Sequence, residues 1–234
     1  VLAALFMGTS ALMAACSKTP TSVDPNSAAS PFTQAFHAEV AKSTDLADPA
    51  NNADARKGLI AKPTGKVLND AGELIWDYDE FNFIEGKAPS TVNPSLWRQA
   101  SLNNQIGLYK VADRIYQLRG FDLSNMTMIE GNTGWIVVDV LTSEETARAA
   151  MAFARKHLGD KPVTAIVFTH SHVDHFGGAL GVLSAEEVAA RNVPVVAPIG
   201  FMEEATSENL LVGMAMARRS TYMYGKRLPR SPEG

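Results

Sequence analysis

One cysteine in 234 residues, Cys16, excludes an intramolecular disulfide and any zinc site built on thiolates. A metal held by this chain must therefore be held by imidazole and carboxylate. Histidine is scarce as well: the five are His37, His157, His170, His172 and His175, and none follows His175. Lysine and arginine number 21 against 25 acidic residues, for a net charge of -4. They are not clustered, so the basic footprint of a nucleic-acid binder is missing. No apolar run reaches the roughly 20 residues of a spanning helix. With 46% hydrophobic and 20% charged residues, the composition excludes the disordered, fibrous and polytopic membrane classes. No internal repeat interrupts the chain, which is long enough for one core with an N-terminal extension.

The chain opens at Val1 without a methionine and stops at Gly234, and is read as a piece of a longer protein. Residues 1–15 form an apolar run of signal-peptide length. Met13-Ala14-Ala15-Cys16 resembles a bacterial lipobox, so Cys16 is expected to carry a lipid and the protein to be exported, to the periplasm or as an outer-membrane lipoprotein. Ser, Thr, Pro, Asn and Ala then dominate, a composition too polar to offset the entropy of ordering. The expected organisation is a signal and lipobox over 1–16, a tether over 17–35, an N-terminal extension over 36–106 and a main domain from 107 to 234.

Short helices are expected over 36–40 and 53–60, and a strand over 73–76 after the Asp70-Ala71-Gly72 turn. Alternating apolar residues predict strands over 114–118 and 126–130. The turn Gly131-Asn132-Thr133-Gly134 leads into a third strand over 135–139. Ser143 followed by Glu144 and Glu145 starts a helix with Ala147, Ala150, Met151, Ala154 and Leu158 on one face, and Gly159 ends it. Residues 163–168 are nearly all apolar, as in a strand covered on both faces. A capping box, Ser184-Ala185-Glu186-Glu187, opens a short helix; a strand over 194–197 and a helix over 202–222 follow. The class is α/β, a sandwich of mixed sheets with helices outside.

Straight after the strand over 163–168 come four potential ligands within six residues: His170, His172, Asp174 and His175. In an extended loop residues two apart point the same way, so His170 and His172 converge on one metal. Asp174 and His175 face a second ion where the loop tightens, with Gly177 and Gly178 giving room for the turn. Imidazole nitrogen and carboxylate oxygen suit zinc, with Zn–N bonds of about 2.0–2.1 Å. Zinc lowers the pKa of water from about 15.7 to about 7, which makes a nucleophile without serine or cysteine. The plainer reading, capping and surface residues with Asp174 drawn to a helix dipole, suits any one of the four but not all four at this spacing.

The run His170-Ser171-His172-Val173-Asp174-His175 resembles the H-x-H-x-D-H signature of the metallo-β-lactamase superfamily, and Asp139 resembles its strand-end aspartate. Flavodiiron members carry Glu where His172 stands. Finer similarity is to class III alkyl sulfatases. It runs through Asn93-Pro94-Ser95-Leu96-Trp97-Arg98-Gln99, Arg119-Gly120-Phe121-Asp122-Leu123-Ser124-Asn125-Met126, Ser207-Glu208-Asn209 and Tyr222-Met223-Tyr224-Gly225, and covers roughly 54–234. The resemblance implies a partial αββα sandwich and two zinc ions. His170 and His172 would hold one ion, Asp174 and His175 the other, with Asp174 counted as catalytic. It also implies hydrolysis of alkyl sulfate esters and a homodimer when full length. The family's further acidic and His ligands lie downstream, so 1–234 alone is expected to be inactive. Glu203, Glu204 and Glu208 read as a solvated helix face.

Arg218 and Arg219 are candidates for a sulfate clamp, beside the plainer role of complementing a helix dipole. Met202, Met214, Met216, Tyr222, Met223 and Tyr224 read as core, or as an alkyl-chain pocket. Another hydrolase of the superfamily (thioesterase, lactonase or β-lactamase) and a non-catalytic, lipid-anchored binding protein of the same fold stay open.

Overall fold

The computed structural model describes residues 28–46 and 48–225. Cys16 and the export segment lie outside the described residues. Helix α1 (Pro31–Ser43) starts inside the stretch assigned to the tether: Ser30 accepts the Thr33 N–H, and Pro31 brings a pre-set φ to the first turn. Asp48 caps α2 (Pro49–Arg56). The helix expected over 53–60 is cut short, because Gly58 takes a φ of 79° and residues 59–61 form strand β1 (Leu59–Ala61). A Cβ at Gly58 would sit 2.1 Å from the Lys110 carbonyl oxygen, so only glycine lets these backbones meet.

A hairpin of β2 (Lys66–Leu68) and β3 (Leu74–Asp77) is followed by α3 (Pro94–Asn103), capped by Asn93. Strands β4 (Gly107–Ala112), β5 (Ile115–Arg119), β6 (Met126–Glu130) and β7 (Trp135–Val138) then form an antiparallel meander. Helix α4 (Glu144–Leu158) carries the chain over the sheet to β8 (Val163–Val167), which pairs parallel to β7. Short helices α5 (Val173–Phe176), α6 (Ala179–Val182) and α7 (Ala185–Arg191) precede β9 (Val195–Val196), parallel to β8. The sheet order is β1-β4-β5-β6-β7-β8-β9. Because β1 pairs with β4, this sheet crosses the boundary drawn at residue 107.

The core lies between the sheet and α4. Trp135, Met126, Met128, Leu118, Leu108 and Ile166 meet Ala147, Ala150, Met151 and Ala154, the stripe expected from the sequence. Ser143 and Gly159, at a φ of 94°, cap α4 as read from the sequence, and Ser184 with Glu187 makes the capping box. From the β2–β3 hairpin, Val67 joins the same core, as does Tyr78 just beyond it. Among the described residues the architecture is α/β: one mixed seven-stranded sheet with a helical layer and a separate two-stranded sheet. No helix among them is long and apolar enough to cross a membrane.

The helix expected over 202–222 is three pieces: α8 (Phe201–Thr206), a π-helical turn (Ser207–Leu211) and α9 (Gly213–Met223). Its methionines and tyrosines are not core. Met202, Met214, Tyr222 and Tyr224 are 69% or more exposed; α8 buries only Ala205, and α9 buries no residue.

Candidate functional site

Where β7 ends, the chain makes an unusual turn: Asp139 and Leu141 both take positive φ, 56° and 68°. A non-glycine residue there costs about 1–3 kcal/mol and is held only by its surroundings. Here the Asp139 N–H donates to the Val167 carbonyl, and the Val140 N–H to the His175 carbonyl (both 2.9 Å). The turn is thus hooked to β8 on one side and α5 on the other.

The strain aims one buried carboxylate. Asp139, 7% exposed, accepts from the Thr169 N–H at 2.8 Å and the Thr169 hydroxyl at 2.8 Å through Oδ2. It also pairs with His175 Nδ1 at 2.8 Å. The Thr169 hydroxyl in turn lies 2.9 Å from His170 Nδ1. One carboxylate therefore orients His175 directly and His170 through a hydroxyl, engaging each ring at Nδ1 and leaving Nε2 as the outward nitrogen. Thr169 and Ser124, whose hydroxyl donates to the Asp174 carbonyl, are supports that residue-by-residue reading missed. The sequence signal for Ser124 was its place in the family-like run over 119–126, and for Thr169 only its position directly before His170.

The structure brings His170, His172, Asp174 and His175 together. Ring centroids are 4.6 Å apart for His170 and His172 and 4.1 Å for His170 and His175. Asp174 Oδ2 lies 3.3 Å from His175 Nε2, and Glu208 Oε1 lies 3.4 Å from His172 Nε2. The reading of three solvated glutamates holds for Glu203 and Glu204, which are exposed, but not for Glu208. Phe201, at the start of α8, stacks on Phe168 (5.5 Å) and meets Phe176 edge-on (5.2 Å), and the π turn that follows delivers Glu208 to the cluster. Arg218 and Arg219 lie exposed on α9, and no described hydrogen bond or ion pair ties them to it.

Two glycines let α5 close against the β7 turn. A Cβ on Gly177 would stand 2.2 Å from the Thr142 carbonyl oxygen, and one on Gly178 2.2 Å from that of Val140. Among the described residues no group of three or more His, Cys, Asp or Glu side chains is arranged to hold an ion; the donors stand in pairs. The Asp174–His175 and His172–Glu208 pairs fit a divalent ion in kind and in spacing. Two ligands on a tetrahedral ion with bonds of about 2.0–2.1 Å stand about 3.3–3.4 Å apart, close to the separations found.

The family model of the metallo-beta-lactamase superfamily matches residues 119–229. An (R)-specific secondary-alkylsulfatase of Pseudomonas sp is 48% identical over 88% of this chain and 31% of its own length. A linear primary-alkylsulfatase of Pseudomonas sp is 46% identical over 86% of this chain and 32% of its own length. Among solved structures, a stereoselective inverting sec-alkylsulfatase from Pseudomonas sp. superposes with a TM-score of 0.82 over 88% of this chain and 33% of the other. The chain spans about a third of the length of these relatives. The stretch from the end of β5 through α9, with the Asp139-braced histidines near its centre, is thus similar to the metallo-beta-lactamase superfamily.

Proposed function

We propose that this chain contributes part of the catalytic site of a zinc-dependent hydrolase of alkyl sulfate esters. The observation that carries this is the 42–48% identity to three sulfatases active on alkyl or alkyl and aryl sulfates, over stretches that take in most of the chain. His170 and His172 would hold one zinc ion, Asp174 and His175 a second. Bound zinc supplies Lewis-acid stabilisation of anionic charge and a water acidic enough to lose its proton near neutral pH.

The chain's own residues prepare that chemistry. Asp139 anchors His175 through Nδ1 and, by way of Thr169, turns His170 the same way, so both rings present Nε2. Val140 donates its N–H to the His175 carbonyl and Leu141 accepts from the Gly178 N–H, which fixes α5 and the turn after it. Arg218 and Arg219 are the cations offered for the sulfate group, since a guanidinium matches a planar face of oxyanion oxygens. Export with a lipid on Cys16 belongs to the same proposal and rests on the sequence Met13-Ala14-Ala15-Cys16.

Zinc content and turnover of a long-chain alkyl sulfate by the full-length protein test the reading. Two ions per chain are expected, and His172→Ala should lower both zinc content and turnover by orders of magnitude. Unchanged turnover would remove His172 from the role, and a full-length protein that stays metal-free when offered zinc would overturn the reading.

A further inference from the structure

A cavity of about 690 Å³ opens between α1, α2, α3 and the segment around residues 86–92, built from none of the residues of the histidine loop or its supports. That volume lies within the range of small-molecule sites. Its walls are tied together. The Trp97 indole N–H of α3 donates to the Gly86 carbonyl at 3.1 Å, and His37 Nδ1 of α1 pairs with the Ser90 carbonyl at 3.0 Å.

Charge in the cavity is one-sided. Arg98 and Lys87 line it, and among the described residues that line it there is no Asp or Glu. The Arg98 Nε is buried and has no hydrogen-bond partner among the described residues. A guanidinium stays protonated at any pH the protein meets, so a cavity lined by it and by Lys87, with no carboxylate beside them, favours an anion. Beside it the wall is apolar: Trp97, Leu46, Val92 and Ala41 supply ring and methyl surface. Arg98 and Trp97 come from the run Asn93-Pro94-Ser95-Leu96-Trp97-Arg98-Gln99, for which the metal site has no use.

We propose that this cavity binds a single-headed amphiphilic anion, with the carboxylate or sulfonate head on Arg98 and the alkyl body against Trp97 and its neighbours. The site is separate from the histidine cluster and does not depend on the hydrolase reading. Calorimetric titration of the full-length protein with sodium decanoate, below its micelle concentration, tests it. One saturable site per chain is expected, and decyltrimethylammonium, of similar tail but opposite head charge, should not compete. Arg98→Met should weaken decanoate binding at least tenfold with the melting temperature unchanged, and His172→Ala should leave binding as it is. Ala41→Phe, which fills the cavity from α1 without altering Arg98, should abolish binding and keeps the test open if the Arg98 variant fails to fold. No saturable binding, equal affinity in Arg98→Met, equal competition by the cationic amphiphile, or loss in His172→Ala would each overturn the proposal.

Discussion

Asp139 Oδ2 sits 2.8 Å from His175 Nδ1, and the same carboxylate takes both the backbone and the hydroxyl donor of Thr169. An asparagine there keeps the shape but brings at most one acceptor oxygen and no charge. Its amide, a donor, would face either an imidazole N–H or the threonine donors. Asp139→Asn should therefore weaken zinc binding by about 10–100-fold, the usual effect of removing a carboxylate behind a metal-binding histidine. Chelator competition measures this without reference to turnover, and an unchanged zinc affinity would show that Asp139 does not orient the ligand.

Gly178 is closed in on three sides. A Cβ there would meet the Val140 and Ser143 carbonyl oxygens at 2.2 and 2.6 Å and the Ala147 methyl at 2.8 Å. Two of those atoms are backbone and cannot swing away. Gly178→Ala should cost about 1–3 kcal/mol in a denaturant titration, as overpacking does. Gly213→Ala is the control, since the nearest atom to a Cβ there is 3.8 Å away, and it should be neutral or slightly stabilising.

What was legible in the sequence follows from how local the signals are. The α4 stripe, its Ser143 and Gly159 caps, the Gly131-Asn132-Thr133-Gly134 turn and the H-x-H-x-D-H run all express themselves within a few residues. The helix and the turn appear in the structure as read, and the run sets its imidazoles side by side. Strands β1 and β2 are three residues each, and β4 leaves three of its six residues exposed; at that length neither alternation nor propensity stands out. Helix α3 does carry a plain local signal, the Asn93 cap followed by Pro94. Glu208 leaves the solvated face because period counting assumes an unbroken α-helix, whereas the π turn at Ser207–Leu211 re-aims its side chain. The brace through Thr169 depends on two strand ends meeting, which no local pattern encodes.

Asp122 does for the loop behind the site what Asp139 does for the histidines. It is 6% exposed and accepts from the Thr142 N–H (3.1 Å), the Thr142 hydroxyl (2.7 Å) and the Thr146 hydroxyl. Thr142 follows Leu141, whose carbonyl receives the Gly178 N–H. Asp122→Ala would orphan several buried donors at about 1–3 kcal/mol each, so a loss of at least about 3 kcal/mol is expected. Amide exchange at Val140 and Gly178 should also speed up relative to the interior of α4. Exchange that changes only near Thr146 would show the loop to be held independently of Asp122.

Tyr78 gives a pH signature that belongs to the fold rather than to any metal. Burial, and after it the negative charge of Asp122, pushes its phenol up from 10.0 to about 12. The folded state thus keeps the phenolic proton where the unfolded chain would have released it. Stability from this source is fully present below pH 10 and is lost as pH rises from about 10 to about 12, through the folded value. Replacing the phenol by a ring that cannot ionise, in Tyr78→Phe, should flatten that part of the stability curve while leaving the decline contributed by lysines. Denaturant midpoints at intervals of half a pH unit across the window would show it. A Tyr78→Phe protein that declines as steeply as the parent would mean that the phenol ionises alike in both states.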